Sequence, residues 1–420
     1  MQLISGRLKL AGFVILTALL AACTEKLDNS AGCPILCPSQ GGEIETVTID
    51  PVVVDSTLSA LTGQGTEGSM LVATRGDSLD ARAIIRFDSI AGRFRRPGSD
   101  TTSFPVTQVD SVILRVRVDT VDGKIPSQVT LDLYDVDSNV PDSAINEIAA
   151  LFIPSRLIAS ATFEKAALKD TVTITLPQST ILARLDQRLR IGIRARGPES
   201  VQLRILSQEG ASAPTQLSYR VSPDTAVAKV VVNPFSKTPA DQPALAFSLA
   251  DYTLLVKGTA TGAATGLNIG GLPARRVYMR FNVPAFLIDS VDVVRATLLL
   301  TQIANPGIDP TDTVSIIPHV SLATNAVTDI AKAAQITAVV NTDTLRVAPG
   351  SAGVRELELA NVIGLWRVQL ATETPRAVVL ISTQEGNSPL EARFFSVEAA
   401  PDLRPRLRIS YSKRKATGLP

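Results

Sequence analysis

A chain of 420 residues that is 45% hydrophobic but only 4% aromatic can fill two or three domain-sized cores, and must fill them with Val, Leu, Ile and Ala. Its 41 basic and 40 acidic residues leave a net charge of +1, without the basic excess of a nucleic-acid-binding surface. A single histidine and three cysteines leave little material for a Ser-His-Asp or Cys-His catalytic arrangement or a zinc site.

The chain opens on a leader pattern. Arg7 and Lys9 form a positive flank, Leu10 to Ala22 an apolar run, and Leu20-Ala21-Ala22-Cys23 a lipobox. The run is shorter than the roughly 20 residues that a bilayer crossing needs. We therefore expect a signal peptide over 1–22, cleavage before Cys23, and lipid modification of Cys23. Several acyl chains on one residue anchor more firmly than a single marginal chain. Thr24, in place of Asp, resembles outer-membrane sorting in enterobacterial lipoproteins, so the expected location is the cell envelope, at the outer membrane. Loss of Arg7 and Lys9 leaves the mature chain near neutral. Residues 23–45, rich in Asn, Ser, Gly and Pro, read as a tether. Within it, Cys33 and Cys37 form either a local disulfide or two idle thiols.

Beyond the tether, strand signals dominate. Gly63-Gln-Gly65-Thr-Glu-Gly68 satisfies a dinucleotide fingerprint by letter, but the strand Met70–Thr74 follows where a helix is required. Val109–Val118, Val129–Tyr134, Val172–Leu176 and Leu189–Ala195 alternate apolar with polar residues, which predicts antiparallel strands with one buried face. Helical spacing is confined to Ser143–Phe152, Val327–Val339 and Asn361–Leu370. The expected class is all-β: two tandem jelly-roll-like antiparallel sandwiches with short connecting helices.

An internal repeat organises these elements. Leu71-Val72 with Ile84–Asp88 is answered by Leu255-Val256 with Val277–Asn282, and Val109–Val116 by Val294–Leu300. Ile205–Gly210 matches Leu380–Gly386, while Leu217–Val221 and Leu407–Tyr411 close the two copies. This places one sandwich at 46–222, the other at 223–412, and a basic tail at 413–420.

The run of Asp251-Tyr252-Thr253, Arg280-Phe281-Asn282, Val294–Leu300 and Phe394–Tyr411, with Ser396-x-Glu398 and Arg404-Pro405-Arg406, resembles the DNRLRE-type, disaggregatase-related carbohydrate-binding module. The second copy carries nearly the whole pattern, and the first lacks the Arg-Pro pair. The resemblance implies a jelly-roll-like sandwich on a secreted or surface protein and a carbohydrate ligand.

Candidate sites are few. Arg275, Arg276, Arg404 and Arg406 offer guanidinium groups to an acidic polysaccharide, against the alternative that they solubilise turns and strand faces. Asp135, Asp137 and Asn139, with Asp142 nearby, offer oxygens to calcium, although the loop glycine and bidentate Glu of an EF-hand are missing; Asp142 would otherwise cap the following helix. His319 reads as a strand end, and the single tryptophan, Trp366, faces inward. Carboxylate pairs for glycoside hydrolysis have no spacing signature in a sequence. No catalytic residue, cofactor or metal is nominated. The expectation is a noncatalytic envelope lipoprotein, a structural or interaction module held to the membrane by its lipid and facing an envelope protein or polysaccharide, with no nucleic-acid partner. The alternative is a carbohydrate-binding surface lipoprotein.

Overall fold

Alternating side chains give each segment one face to bury, and the chain meets that need by pairing strands antiparallel and stacking the sheets. The computed structural model describes residues 43–59, 65, 67–98, 102–210, 214–222, 227–237, 249–258, 266–305, 312–322, 337–339, 343–368, 376–386 and 388–414. Cys23, Cys33 and Cys37, with the leader and most of the tether, lie outside them.

In chain order the strands begin with β1 (Ile44–Ile49), β2 (Val52–Ser59), β3 (Ser69–Arg75), β4 (Leu79–Phe87), β5 (Arg93–Arg95), β6 (Ser103–Pro105), β7 (Val109–Lys124) and β8 (Gln128–Asp135). They continue with β9 (Leu157–Glu164), β10 (Thr171–Thr175), β11 (Leu189–Arg196), β12 (Val201–Leu206), β13 (Gln216–Val221), β14 (Val230–Val232) and β15 (Asp251–Lys257). The later ones are β16 (Gly266–Gly270), β17 (Arg275–Phe281), β18 (Val291–Ile303), β19 (Val314–Ser321), β20 (Thr337–Val339), β21 (Leu345–Val347) and β22 (Gly353–Glu358). Last come β23 (Ala377–Ser382), β24 (Glu391–Phe395) and β25 (Arg406–Lys413). Among the described residues the four α-helices are short: α1 (Ile145–Ala149), α2 (Ser179–Leu182), α3 (Ala285–Asp289) and α4 (Ala360–Val368). Helical spacing over Ser143–Phe152 thus yields a single turn, because Pro141 and Pro154 bracket it. Of Val327–Val339 only 337–339 is described, and it is a strand.

The fold is all-β, with an 11-stranded and a 12-stranded antiparallel sheet. Each sheet folds over on one long strand into a sandwich. Along β7, residues 109–115 pair with β13 and residues 118–124 with β12, so one strand serves both layers. β18 does the same, pairing with β25 at one end and β24 at the other. The first core is aliphatic, built on Met70, Ile85, Leu114, Leu131, Ile191 and Leu203, all fully buried. The second is built on Val277, Leu298, Leu357, Leu380 and Ile409, with Trp366 turned inward against Phe281 at 5.3 Å between rings.

The copies correspond in sheet order: β3 to β16, β4 to β17, β7 to β18, β11 to β23, β12 to β24 and β13 to β25. One pair of strands, however, is displaced along the chain. β1 pairs with β25 and β2 with β17, so residues 44–59 belong to the second sandwich, although β3 of the first follows them. β14 pairs with β13 and β15 with β4, so these strands, which follow β13 in sequence, complete the first sandwich. The expected boundaries at 46 and 223 therefore do not follow sheet membership. Two repeat pairings change as well. Leu255 lies on β15, whose counterpart is β2, whereas the partner of Leu71 on β3 is Asn268 on β16; and Ile205–Glu209 answers Phe394–Glu398, since β12 corresponds to β24.

Candidate functional site at the wedged strands

Asp55-Ser56-Thr57-Leu58 on β2 and Asp251-Tyr252-Thr253-Leu254 on β15 occupy equivalent places. Asp55 stands opposite Met279 and Thr57 opposite Val277, just as Asp251 stands opposite Ile85 and Thr253 opposite Ala83. Each strand wedges into a hairpin whose two arms pair only briefly: β3 with β4 over three residue pairs, and β16 with β17 at Gly270 and Arg275 alone. The wedged strand must therefore satisfy polar groups that the splayed arm would otherwise leave bare.

The threonines do this identically. Thr253 Oγ1 accepts the N–H of Leu71 at 2.9 Å, and Thr57 Oγ1 accepts that of Asn268 at 3.0 Å. The aspartates reach the turn after the next strand. Asp251 Oδ2 accepts the N–H of Gln208 at 3.0 Å, and Asp55 Oδ2 that of Val397 at 2.9 Å. Those turns share the pattern Ser-x-Glu: Ser207-Gln208-Glu209 and Ser396-Val397-Glu398. Each aspartate thus faces a glutamate.

Burial and that glutamate act in one direction, against ionisation. Asp251 is 1% exposed, its Oδ1 meets no N–H or O–H donor among the described residues, and Glu209 and Glu67 crowd it. Its pKa is pushed up to about 8, chiefly by burial and then by Glu209. Asp55 is pushed up to about 6 by burial, with Glu398 adding to the shift. At neutral pH the Asp251 carboxyl therefore keeps its proton. Among the described residues no three acidic, His or Cys side chains gather at metal-ligating geometry. The turn beside Asp251 is also tight: a Cβ on Gly210 would lie 1.8 Å from the carbonyl oxygen of Gly68.

Tyr252 gives the first clasp a second hold. Its hydroxyl donates to Asp142 Oδ1 at 2.8 Å, and Asp142 also takes Arg190 at 2.9 Å and Arg86. Burial, followed by the charge of Asp142, raises the Tyr252 pKa far above the usual phenol range. Asp142 is thus the hub of a buried ion network, and no side-chain cap is made to α1.

The structure scatters the residues nominated from sequence. Arg275 is 1% exposed and paired with Glu391; Arg276 is buried and paired with Glu385 at 2.8 Å. Both guanidinium groups are engaged inside the second sandwich. Arg404 donates to the carbonyl of Ala399 at 2.7 Å, which fixes the turn before β25, and Arg406 lies on β25 opposite Leu299. The four do not converge. Asp135 and Asp137 are taken by Arg184 at 2.6 and 3.1 Å, and Asp137 also by Arg188 at 2.5 Å, while Asn139 is exposed. His319 lies within β19, with its pKa lowered by burial and Arg276. Two clefts open on the first sandwich, one of about 520 Å³ beside Thr74, Arg194 and Glu199 and one of about 400 Å³ beside Arg156 and Thr180. The clasps were missed because their partners lie 43 and 342 residues apart in sequence. The recurrence of Asp-x-Thr-Leu is the signal that could have found them.

No protein-family model matches the chain, and no curated protein matches it. Among solved structures, a chain from the structure of infectious bursal disease virus Gt strain is similar at 11% identity, covering 91% of this chain and 78% of that one, with a TM-score of 0.10. A likeness at that score carries no argument about fold or function.

Proposed function

We propose that this chain is a lipid-anchored, noncatalytic envelope protein whose two sandwiches serve as a structural or interaction module. The displacement of β1 and β2 into the second sandwich is the observation that carries this reading. The described strand nearest the lipobox, β1, is built into the far sandwich beside β25, so a load entering from Cys23 is taken up by the second sandwich. Residues 24–43 lie between anchor and strand, and any chain of that length spans at most about 70 Å when fully extended. Buried arginines and carboxylates paired with each other suit a fastened scaffold. Polysaccharide recognition through Arg275 and Arg276 finds no support in their burial.

The test is acylation and fractionation of the full chain. Labelled palmitate should enter the protein, the protein should sediment with outer membrane, and Cys23→Ser should lose both properties. Membrane association that survives Cys23→Ser without label would reject the anchor.

A further inference from the structure

β2 and β15 solve one docking problem in the two sandwiches, and they agree residue by residue. Aspartate accepts an N–H of the Ser-x-Glu turn, threonine accepts an N–H of the splayed arm, and leucine is buried, Leu254 fully and Leu58 at 9% exposure. The position between aspartate and threonine varies, Ser56 in one and Tyr252 in the other. Main-chain pairing supplies the remainder: β2 runs along β17 from Ser59 opposite Arg275 to Val52 opposite Phe281. Such a site reads an extended peptide by its backbone and by a few side-chain positions. For β2, covalent continuity with the sandwich it completes is no part of the contact, because the next strand in sequence, β3, belongs to the first sandwich.

We propose that the cleft between β16 and β17 is a receptor for an extended peptide of pattern Asp-x-Thr-Leu, and that residues 44–59 are its detachable, built-in ligand. Recognition rests on Asp55, Thr57 and Leu58. Val53, 51% exposed, makes no part of it.

The experiment uses the full chain with a specific protease site placed in the glycine-bearing segment 61–66. After cutting, the protein is mixed with excess fluorescent 44–59 peptide in urea, and the urea is removed so that the peptide and the cut fragment compete on equal terms. Labelled peptide should be retained on gel filtration in proportion to its excess. A peptide carrying Asp55→Ala and Thr57→Ala should compete at least about tenfold less well, as expected for two lost hydrogen bonds, one of them to a carboxyl group. Val53→Ala should compete as the parent does. Equal competition by the double variant, or exclusion of the labelled peptide from a refolded protein, would overturn the proposal. Should refolding fail, amide exchange in the uncut chain decides. Thr57→Val should deprotect the N–H of Asn268 and leave that of Leu71 unchanged; protection retained at Asn268 would count against the recognition pattern.

Discussion

Asp251 is the residue on which most depends, and its proton sets a direction for the effect of pH. Its pKa is about 8 in the fold against 3.8 for the ordinary side chain, so between those values the folded protein holds a proton that the unfolded chain has released. Stability is therefore fully present below about pH 4 and falls as pH rises, by about 1.4 kcal/mol per pH unit for each such proton. Asp55 adds to the slope only up to about pH 6. Urea midpoints should drop from pH 5 to pH 8, and Asp251→Asn should flatten the curve above pH 6; a midpoint that climbs over this range would contradict the assignment. Tyr252→Phe removes one donor from Asp142 but leaves Arg86 and Arg190 in place, so denaturation should show a cost of about 1–2 kcal/mol. Arg275→Ala strands the fully buried Glu391 with Arg393 as its remaining partner, at a cost of about 3 kcal/mol or more. A polysaccharide contact at Arg275 would instead lose binding with stability unchanged.

At the level of elements, the legible part of the fold is the part governed by local periodicity. Val109–Val118 and Leu189–Ala195 announce β7 and β11 because alternate residues must enter a core, and Trp366 faces inward on a helix whose apolar spacing says so. Which sheet a strand joins is a different question, since alternation marks the face to be buried and is silent about the neighbour. β15 reads as the opening strand of the second copy and is instead the wedge of the first. The arginines show the same limit: Arg275-Arg276 looks like a surface pair until Glu391 and Glu385 arrive from more than a hundred residues away. The turn at Gly210 tests the clasp as an element. Gly210→Ala drives a methyl group into the backbone of Gly68 and displaces Glu209 from Asp251, and amide exchange should show the N–H of Gln208 deprotected while Val397 in the other copy is unaffected.

For the whole molecule, the first sandwich is inserted between β2 and β16, so the second sandwich is completed by residues 44–59, which lie on the far side of the first in sequence. Leu272, on the turn between β16 and β17, adds a direct contact by packing with Leu71, Ala73, Leu79 and Ala81 of the first sandwich, and Lys124 pairs with Asp312 at 3.0 Å. Thermal unfolding should therefore be one cooperative transition, with the calorimetric and van't Hoff enthalpies in agreement, where two separable sandwiches would give two. The most direct test of this placement of β1 is a covalent one. Thr46 and Ser410 face each other across β1 and β25 with their hydroxyl groups 2.9 Å apart, and adjacent antiparallel positions suit a disulfide. In a full chain with Cys23→Ser, Cys33→Ser and Cys37→Ser, the pair Thr46→Cys and Ser410→Cys should oxidise. After proteolytic cutting within 61–66, residues 44–59 should then migrate with the C-terminal fragment on a non-reducing denaturing gel and separate from it on reduction. Release of the 44–59 fragment without reduction would mean that β1 does not lie against β25, and the inserted architecture would be wrong.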